Sequence, residues 1–519
     1  ILKRGKKAPK YINCRHEVAA ISAAQGYTEV TGKLPVVLLH SSVGLLMGAM
    51  AMRNAVSARA PMLILSGETC EHCGDEDVKP QGWQWLGLLS DNGGTANLVR
   101  DFVKWSNAVR NRDTLADAVT RGSRIALESP RGPVYISVPP EILARSGSTL
   151  KIAPVDVTKN VPDEAGLKKV AAILAKSKAP IIIADHAGRK AEGALALTRL
   201  AEFIGAPVFD TMLHFSANIS RQNPLWQSAL APEALKEADT VFVVASSVPW
   251  YPPKTGPRDD AKVILLAEDT RHENWPYWNY RFDVAIDSDV PAGLEALVRL
   301  AREQKRKPDA ERVANWGRKH DALIVSLDKD AHAVKVGKPI AARWLMHVAQ
   351  KTLPPDAIIL DETILHTHIL HRYLAEPGRY IKPAYGGLGV GIGAALGVKL
   401  GKPERPVVLF VGDGAFNYNP VLAALGLSAE YKIPIMIVLL DNGGYIAMSR
   451  GYQGKYPGLL GVDIKPTPDY AKAAEACGAY AEKVELPDKI GAALKRGLKE
   501  ISSGRTALLD VIIEANLNP

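Results

Sequence analysis

The chain has 519 residues, of which 47% are hydrophobic and 23% charged, ordinary proportions for a globular protein with several cores. No uninterrupted apolar run reaches the ~18 residues of a membrane-spanning helix and no signal peptide is evident, so no membrane partner is expected. The formal net charge of +9 is spread along the chain apart from Lys3, Arg4, Lys6, Lys7 and Lys10; without a recognition motif that cluster reads as solvated surface and no nucleic-acid partner is expected, while the mild positive field favours anionic small molecules.

The sequence opens at Ile1 without an initiator Met, inside what reads as a domain, so an N-terminal piece is expected to be missing. CRHEVAAISAAQGYTEVTG begins an amphipathic helix with Glu17 in its first turn, and VVLLH is a buried strand ending in His40, followed by Ser41, Ser42 and Gly44. Alone, such a glutamate is a dipole-favoured surface residue and such a histidine a satisfied structural one. PMLILSG and GPVYISVP supply further buried strands. Cys14, Cys70, Cys73 and Cys477 are the only cysteines, which fits a reducing, cytoplasmic setting. Cys70-Glu-His-Cys73 has ligand-like spacing, but no second pair completes four ligands, so it reads as a loop with incidental thiols.

This first segment, 1–143, ends near Pro140 and Leu143, and residues 144–162 read as a linker. A second, 163–301, carries the strands APIIIAD, PVFDTM, TVFVVAS and KVILLAED with helices between them. A charged helical run over 302–319 reads as a solvated connector. The third, 339–519, carries AIILDE, PVVLFVGDG, PIMIVLLDN and ALLDVIIE. Strands alternating with helices predict an α/β protein of three doubly wound parallel sheets with right-handed crossovers.

Within the third segment, Gly412-Asp413-Gly414 follows one apolar strand and Asp441-Asn442 the next, with Asn442 lying 29 residues after Asp413. Both therefore fall at the carboxyl ends of strands, where an open parallel sheet binds its ligands. Asp413 and the Asn442 amide oxygen are hard donors suited to Mg²⁺, which also takes phosphate oxygens. Gly412 and Gly414 let backbone approach phosphate, and the following helix start adds N–H donors.

This pattern resembles the thiamine-diphosphate signature of Gly-Asp-Gly followed by Asn-Asn, with Asp441 in place of the first Asn and a slightly long interval. Glu17 in RHE, AAQGYTEVTG, LHSSVG with His40, FVKWS, GPVYISVP, YGGLGVGIGAALG and GDGAFNY extend the resemblance to nearly the whole chain, and the interval of 23 residues from Glu17 to His40 matches the benzoylformate decarboxylase group in particular. The larger family includes pyruvate decarboxylase and acetolactate synthase.

The resemblance implies pyrimidine-binding, middle and diphosphate-binding domains, thiamine diphosphate and Mg²⁺ as cofactors, and a homo-oligomer, a dimer or dimer of dimers, with sites between subunits. It implies that Glu17, buried with a raised pKa, hydrogen-bonds the pyrimidine so that the thiazolium carbon becomes a carbanion. Leu388, in Gly386-Gly387-Leu388-Gly389, matches the apolar side chain that bends the cofactor. Asp413, Asn442 and the Gly444 carbonyl match the metal ligands. Gly412, Gly414, Ala415, Asn442 and Tyr445 match positions along the diphosphate, and Glu362 an acidic position near the cofactor.

His40 matches a histidine that binds the carboxylate of a small anionic 2-oxo acid or relays protons, with Ser41 beside it. His366, His368 and His371 follow Glu362; one reaches the diphosphate or substrate, or all lie on a helix surface. The group's second catalytic histidine, in the middle domain, falls near Pro252 here. Trp250 and Tyr251 then line the pocket, or His214 substitutes, and Phe215 with Trp250 and Tyr251 hints at an aromatic or large apolar substrate unless these are core residues. The expected reaction is decarboxylation of a 2-oxo acid to an aldehyde, with carboligation. An acetolactate-synthase-like carboligase with FAD, or a 2-hydroxyacyl-CoA lyase or oxalyl-CoA decarboxylase, stands behind it, because the chain stops just after its last strand and leaves no C-terminal lid. A binding or scaffold protein is the non-enzyme alternative.

Overall fold

The computed structural model describes residues 9–70, 93–144, 160, 162–273, 275, 278–303, 309–450, 452, 456 and 459–515. Among these described residues, sixteen strands form three sheets. Val36–Leu39 (β1), Met62–Gly67 (β2), Trp105–Ala108 (β3) and Pro133–Val138 (β4) make the first, in the order β1-β2-β4-β3. Pro180–Ala184 (β5), Val208–Asp210 (β6), Trp226–Ala229 (β7), Thr240–Val244 (β8), Lys262–Ala267 (β9) and Val284–Asp287 (β10) make the second, in the order β10-β9-β8-β5-β6-β7. Ile358–Glu362 (β11), Tyr380–Ile381 (β12), Val407–Gly412 (β13), Met436–Asp441 (β14), Tyr480–Val484 (β15) and Ala507–Ile512 (β16) make the third, in the order β12-β11-β13-β14-β16-β15. Every strand pairing is parallel, as expected. Of the apolar runs read from sequence, all but β1 are inner strands; β5, β8, β13 and β14 are buried on both faces by the helices of their crossovers.

The sheets are tied together by packed helices and shared core. Helix Glu17–Thr31 lies against helix Gly391–Gly401 so closely that a Cβ at Gly26 would sit 2.0 Å from the Ala394 carbonyl oxygen, and one at Gly397 1.9 Å from that of Ala23. Only glycine permits that approach. One buried cluster runs from Leu200 and Phe242 beside the second sheet to Ile359, Val438 and Leu509 in the third. The charged run 302–319 continues into a longer helix, Ala310–Ala333, capped by the Asp309 side chain; none of the described residues of 302–319 is buried, and the helix buries His320, Leu327 and Ala331 beyond them. Lys3, Arg4, Lys6, Lys7 and Cys73 lie outside the described residues, as does most of 144–162. Cys14 and Cys477 are free thiols.

Candidate active site

Two adjacent strands of the third sheet set the first group of residues. β13 ends at Gly412 and β14 at Asp441, with Gly412 paired to Leu440, so Asp413 and Asn442 emerge side by side. Asp413 is 2% exposed; its Oδ1 accepts from the Gly414 N–H at 2.8 Å and its Oδ2 from the Gly444 N–H at 2.9 Å. The Asn442 Oδ1 accepts from the same Gly444 N–H at 3.2 Å, and the Asp441 Oδ1 from the Gly443 N–H at 3.0 Å. Gly443 has φ +73°, and a Cβ on Gly444 would lie 2.5 Å from the Val462 carbonyl oxygen, so this turn needs its glycines.

Burial, with the neighbouring Asp441 carboxylate, pushes the Asp413 carboxyl up to about 6. Asp510 on β16, also buried, is pushed up to about 7 by burial and Asp441. A Cβ at Gly412 would meet nothing nearer than the Thr363 carbonyl oxygen at 3.8 Å, so that backbone is open to a ligand, whereas Gly414 is backed by the Tyr445 ring at 2.7 Å. Ala415 is buried in the helix Asp413–Tyr418. All the donors are oxygen, and the crowded carboxylates would be relieved by a hard dication, so these residues fit a metal-bridged diphosphate.

The loop bearing Leu388 is held from both sides. Glu362, the last residue of β11, is wholly buried; its Oε1 accepts from the N–H groups of Gly389 at 2.8 Å and Val390 at 3.0 Å, and its Oε2 from Gly391 N–H at 3.0 Å and Asn419 Nδ2 at 2.9 Å. Burial pushes its carboxyl up to about 7, against four donors that favour the anion. Glu362, expected near the cofactor, directs both its carboxylate oxygens to the loop that bears Leu388. Gly386 and Gly389 have φ +89° and +92°, and a Cβ on Gly389 would lie 2.4 Å from the Tyr418 carbonyl oxygen.

From the other side, helix Ser41–Ser57 reaches over the same loop. Arg53 donates to the Tyr385 carbonyl; Asn54 accepts from the Tyr385 N–H at 3.0 Å and directs Nδ2 to the Gly387 carbonyl at 3.5 Å. A Cβ on Gly387 would meet Met50 Sδ at 2.3 Å. Leu388 itself is half-buried against the third sheet's core. Sequence reading missed Arg53, Asn54, Asn419 and Asp510; the one available signal was the polar pair Arg53-Asn54 closing the apolar stretch Val43–Met52.

Glu17 and His40 come together on the first sheet's side. Glu17 opens its helix, where the His16 Nδ1 accepts from the Val18 N–H at 3.1 Å. Its Oε1 lies 3.3 Å from where a Cβ on Gly44 would be, and its Cβ 3.5 Å from one on Gly48. His40 caps the helix that contains those glycines, its carbonyl accepting from the Gly44 N–H at 2.8 Å. Ser41 has φ +42° and a buried Oγ without a hydrogen-bond partner, a strained backbone position beside the candidate histidine. Glu17 was expected buried; in the single chain it is half-buried, because helix Ser41–Ser57 covers only one side of it.

Other candidates are absorbed by packing. Trp250 is 6% exposed, donates to the Pro253 carbonyl at 3.1 Å and meets Tyr280 edge-on, so it is a core residue and not a pocket wall, while Tyr251 is 68% exposed. Phe215 stacks on His186 at 4.9 Å and on Tyr385 at 4.3 Å, and those two rings lie 5.9 Å from each other. The histidines expected on a helix surface are otherwise placed. His366 caps helix Thr367–Leu374 in a buried position, where burial pushes it down to about 4. His371 is buried, its Nε2 3.1 Å from the Ser216 carbonyl and its ring 4.7 Å from that of His214. His214 is thus part of the contact between second and third sheets. His368 is half-buried.

Comparison with known proteins agrees along the chain. Residues 2–78 match the thiamine pyrophosphate enzyme N-terminal TPP binding domain, 167–297 the central domain, and 365–511 the C-terminal TPP binding domain. The chain is 27% identical to benzoylformate decarboxylase of Pseudomonas aeruginosa over 524 residues, covering 97% of this chain and 91% of that one. It is 22% identical to the acetolactate synthase isozyme 3 large subunit of Escherichia coli over 533 residues, covering 98% and 88%. The crystal structure of benzoylformate decarboxylase from Polynucleobacter necessarius shares the fold, with a TM-score of 0.82 at 21% identity, covering 100% of this chain and 94% of that one.

Proposed function

The chain belongs to the thiamine pyrophosphate enzymes, and we propose that it catalyses the non-oxidative decarboxylation of a 2-oxo acid to an aldehyde, using thiamine diphosphate and Mg²⁺. The observation that carries this reading is the placement of Glu17 and His40 on two helix starts packed against each other at Gly44. The Glu17 carboxyl, read here as the group for the cofactor, thereby lies one helical turn from His40, read as the group for the substrate.

Bound thiamine diphosphate supplies a nucleophilic carbon and an electron sink. Asp413, Asn442 and the Gly444 carbonyl would hold Mg²⁺, and Gly412, Gly414 and Ala415 would line the diphosphate, with Tyr445 behind. Glu17 would hold the proton at the pyrimidine nitrogen. Leu388 would support the bent cofactor, and Glu362, Asn54 and Arg53 would fix the loop that carries it. His40 would bind the substrate carboxylate while neutral or charged, and return a proton to the product carbon. The segment Trp250–Pro252 offers no ionisable group but the exposed Tyr251, so His40 takes a larger share of proton handling.

The site is completed, in this reading, by a second copy of the chain. Val43, Leu46, Met47 and Met50 form an apolar stripe with helical spacing on helix Ser41–Ser57, and all are 45–57% exposed. The stripe adjoins Glu17 and His40, so a second subunit seated there would complete the burial of Glu17.

The test is CO₂ release with thiamine diphosphate and Mg²⁺ across pyruvate, branched-chain 2-oxo acids, phenylpyruvate and benzoylformate, with products identified by mass. Cofactor-dependent aldehyde is expected from one of them, and Glu17→Gln should lower kcat by about 10²–10⁴. Unchanged turnover in Glu17→Gln would overturn the assignment. The similarity to an acetolactate synthase favours carboligation as the second reading, and the same mass analysis would show it as a joined hydroxyketone.

A further inference from the structure

Away from this site, the connector helix Ala310–Ala333 meets helix Ala342–Thr352 at a cluster of ligating side chains. Asp328 and His332 stand one turn apart on the first helix and His347 faces them from the second. One carboxylate oxygen and a ring nitrogen from each histidine all lie within 4.8 Å of one another. We propose that Asp328, His332 and His347 bind a zinc-type dication that pins the connector helix to the third-sheet domain.

The donor set is the first argument. Two imidazoles and a carboxylate suit Zn²⁺ and its transition-metal neighbours better than Mg²⁺ or Ca²⁺, and three protein ligands leave a fourth position for water. Preorganisation is the second. His347 is buried, stacked on Trp344 at 5.2 Å with the Tyr373 ring edge-on at 6.2 Å, so its ring plane is fixed. The His332 Nδ1 lies 2.8 Å from the Asp328 carbonyl and 3.3 Å from its Oδ2. Ligation through that nitrogen requires it to give up the carbonyl contact, as the exposure of the ring allows.

Tetrahedral bonds of ~2.0–2.2 Å bring ligand atoms to roughly 3.3 Å apart, so the cluster must tighten. The Asp328 and His332 side chains, 55% and 44% exposed, are free to do so. The competitor is Lys351, whose Nζ lies 3.7 Å from the Asp328 Oδ1, the same oxygen that stands 3.8 Å from the His347 Nδ1. An entering dication displaces that ammonium.

The experiment is calorimetric titration of ZnCl₂ into the untagged full chain, saturated with thiamine diphosphate and excess Mg²⁺ so that the Asp413 cluster is taken. One zinc per chain is expected, with affinity at least about tenfold weaker in His332→Gln and in Asp328→Asn, both at exposed positions that the fold tolerates. Lys351→Met should bind several-fold tighter, an effect of opposite sign that a misfolded variant cannot mimic. Zinc held elsewhere, on thiols for example, is the same in all variants and cancels. Absence of saturable zinc binding, or equal binding by wild type and His332→Gln, overturns the proposal.

Discussion

Asp413 and Asp441 crowd two carboxylates into one buried turn, and that crowding has a measurable consequence. The Asp413 carboxyl, raised to about 6 from an ordinary value of 3.8, favours its protonated form in the folded apoprotein. Its contribution to apoprotein stability is therefore present below 3.8 and declines as pH rises through about 6. A dication binds the deprotonated form and reverses the sign. Apparent Mg²⁺ affinity should hold constant above that range and fall about tenfold per unit as pH drops below it, one proton competing with one metal. Mg²⁺ titrations against thiamine-diphosphate-induced change in melting temperature, from pH 5 to 8, check this; an affinity flat across the range would remove Asp413 as a ligand. Asp413 and Asn442 were legible because their turns follow strong apolar strands. The role of Glu362 was not, because residue type does not reveal that Gly389, Val390, Gly391 and Asn419 consume its oxygens. The packing of Trp250 and His371 was left open for the same reason: what a side chain packs against is settled by residues distant in sequence.

Among the elements, the strands that sequence reading missed are β3, β7, β10, β12 and β15, and every one is at a sheet edge. Paired on one side and less covered, an edge strand needs no apolar run; β3 is only half-buried and β10 alternates with exposed positions, where β5, β8 and β14 are buried throughout. Helix contacts were equally hidden, since a glycine in a helix reads as a defect until its neighbour is known. The pair Glu17–Thr31 and Gly391–Gly401 gives such glycines a purpose. Gly26→Ala or Gly397→Ala places a methyl about 2 Å from a carbonyl oxygen and should destabilise by about 1–3 kcal/mol. Gly317→Ala, inside the connector helix with its nearest neighbour atom at 3.4 Å, should instead stabilise by about 0.5–1 kcal/mol. Urea unfolding of the three variants reads both signs. The outcome that sinks the close-packing argument is a gain at Gly26 comparable to that at Gly317.

For the whole molecule, the three parallel sheets were legible as three alternating segments, whereas the way one chain distributes its chemistry over them was not. Glu17 and His40 belong to the first sheet, Asp413 and Asn442 to the third, and the Leu388 loop is gripped by residues of both. A chain so arranged leaves an apolar stripe of Val43, Leu46, Met47 and Met50 in water beside its candidate acid–base pair. The third-sheet domain also leaves Tyr418, Leu422 and Met448 exposed, at 62%, 73% and 62%. Large apolar side chains in such numbers argue for a covering surface, which we propose is a second copy of the chain. Helix Ser41–Ser57 does not depend on Leu46 and Met47 for its own packing, since both point away from the buried Leu45, Ala51 and Met52. Leu46→Asp with Met47→Asp should therefore leave each chain folded, by circular dichroism, yet convert the oligomer to monomer in sedimentation velocity. Thiamine-diphosphate-dependent turnover should fall by at least about 10²-fold, because Glu17 would lose the burial that its proton transfer requires. If the doubly substituted protein sedimented as the wild type and retained its turnover, the stripe would not be the interface and the site would lie within one chain.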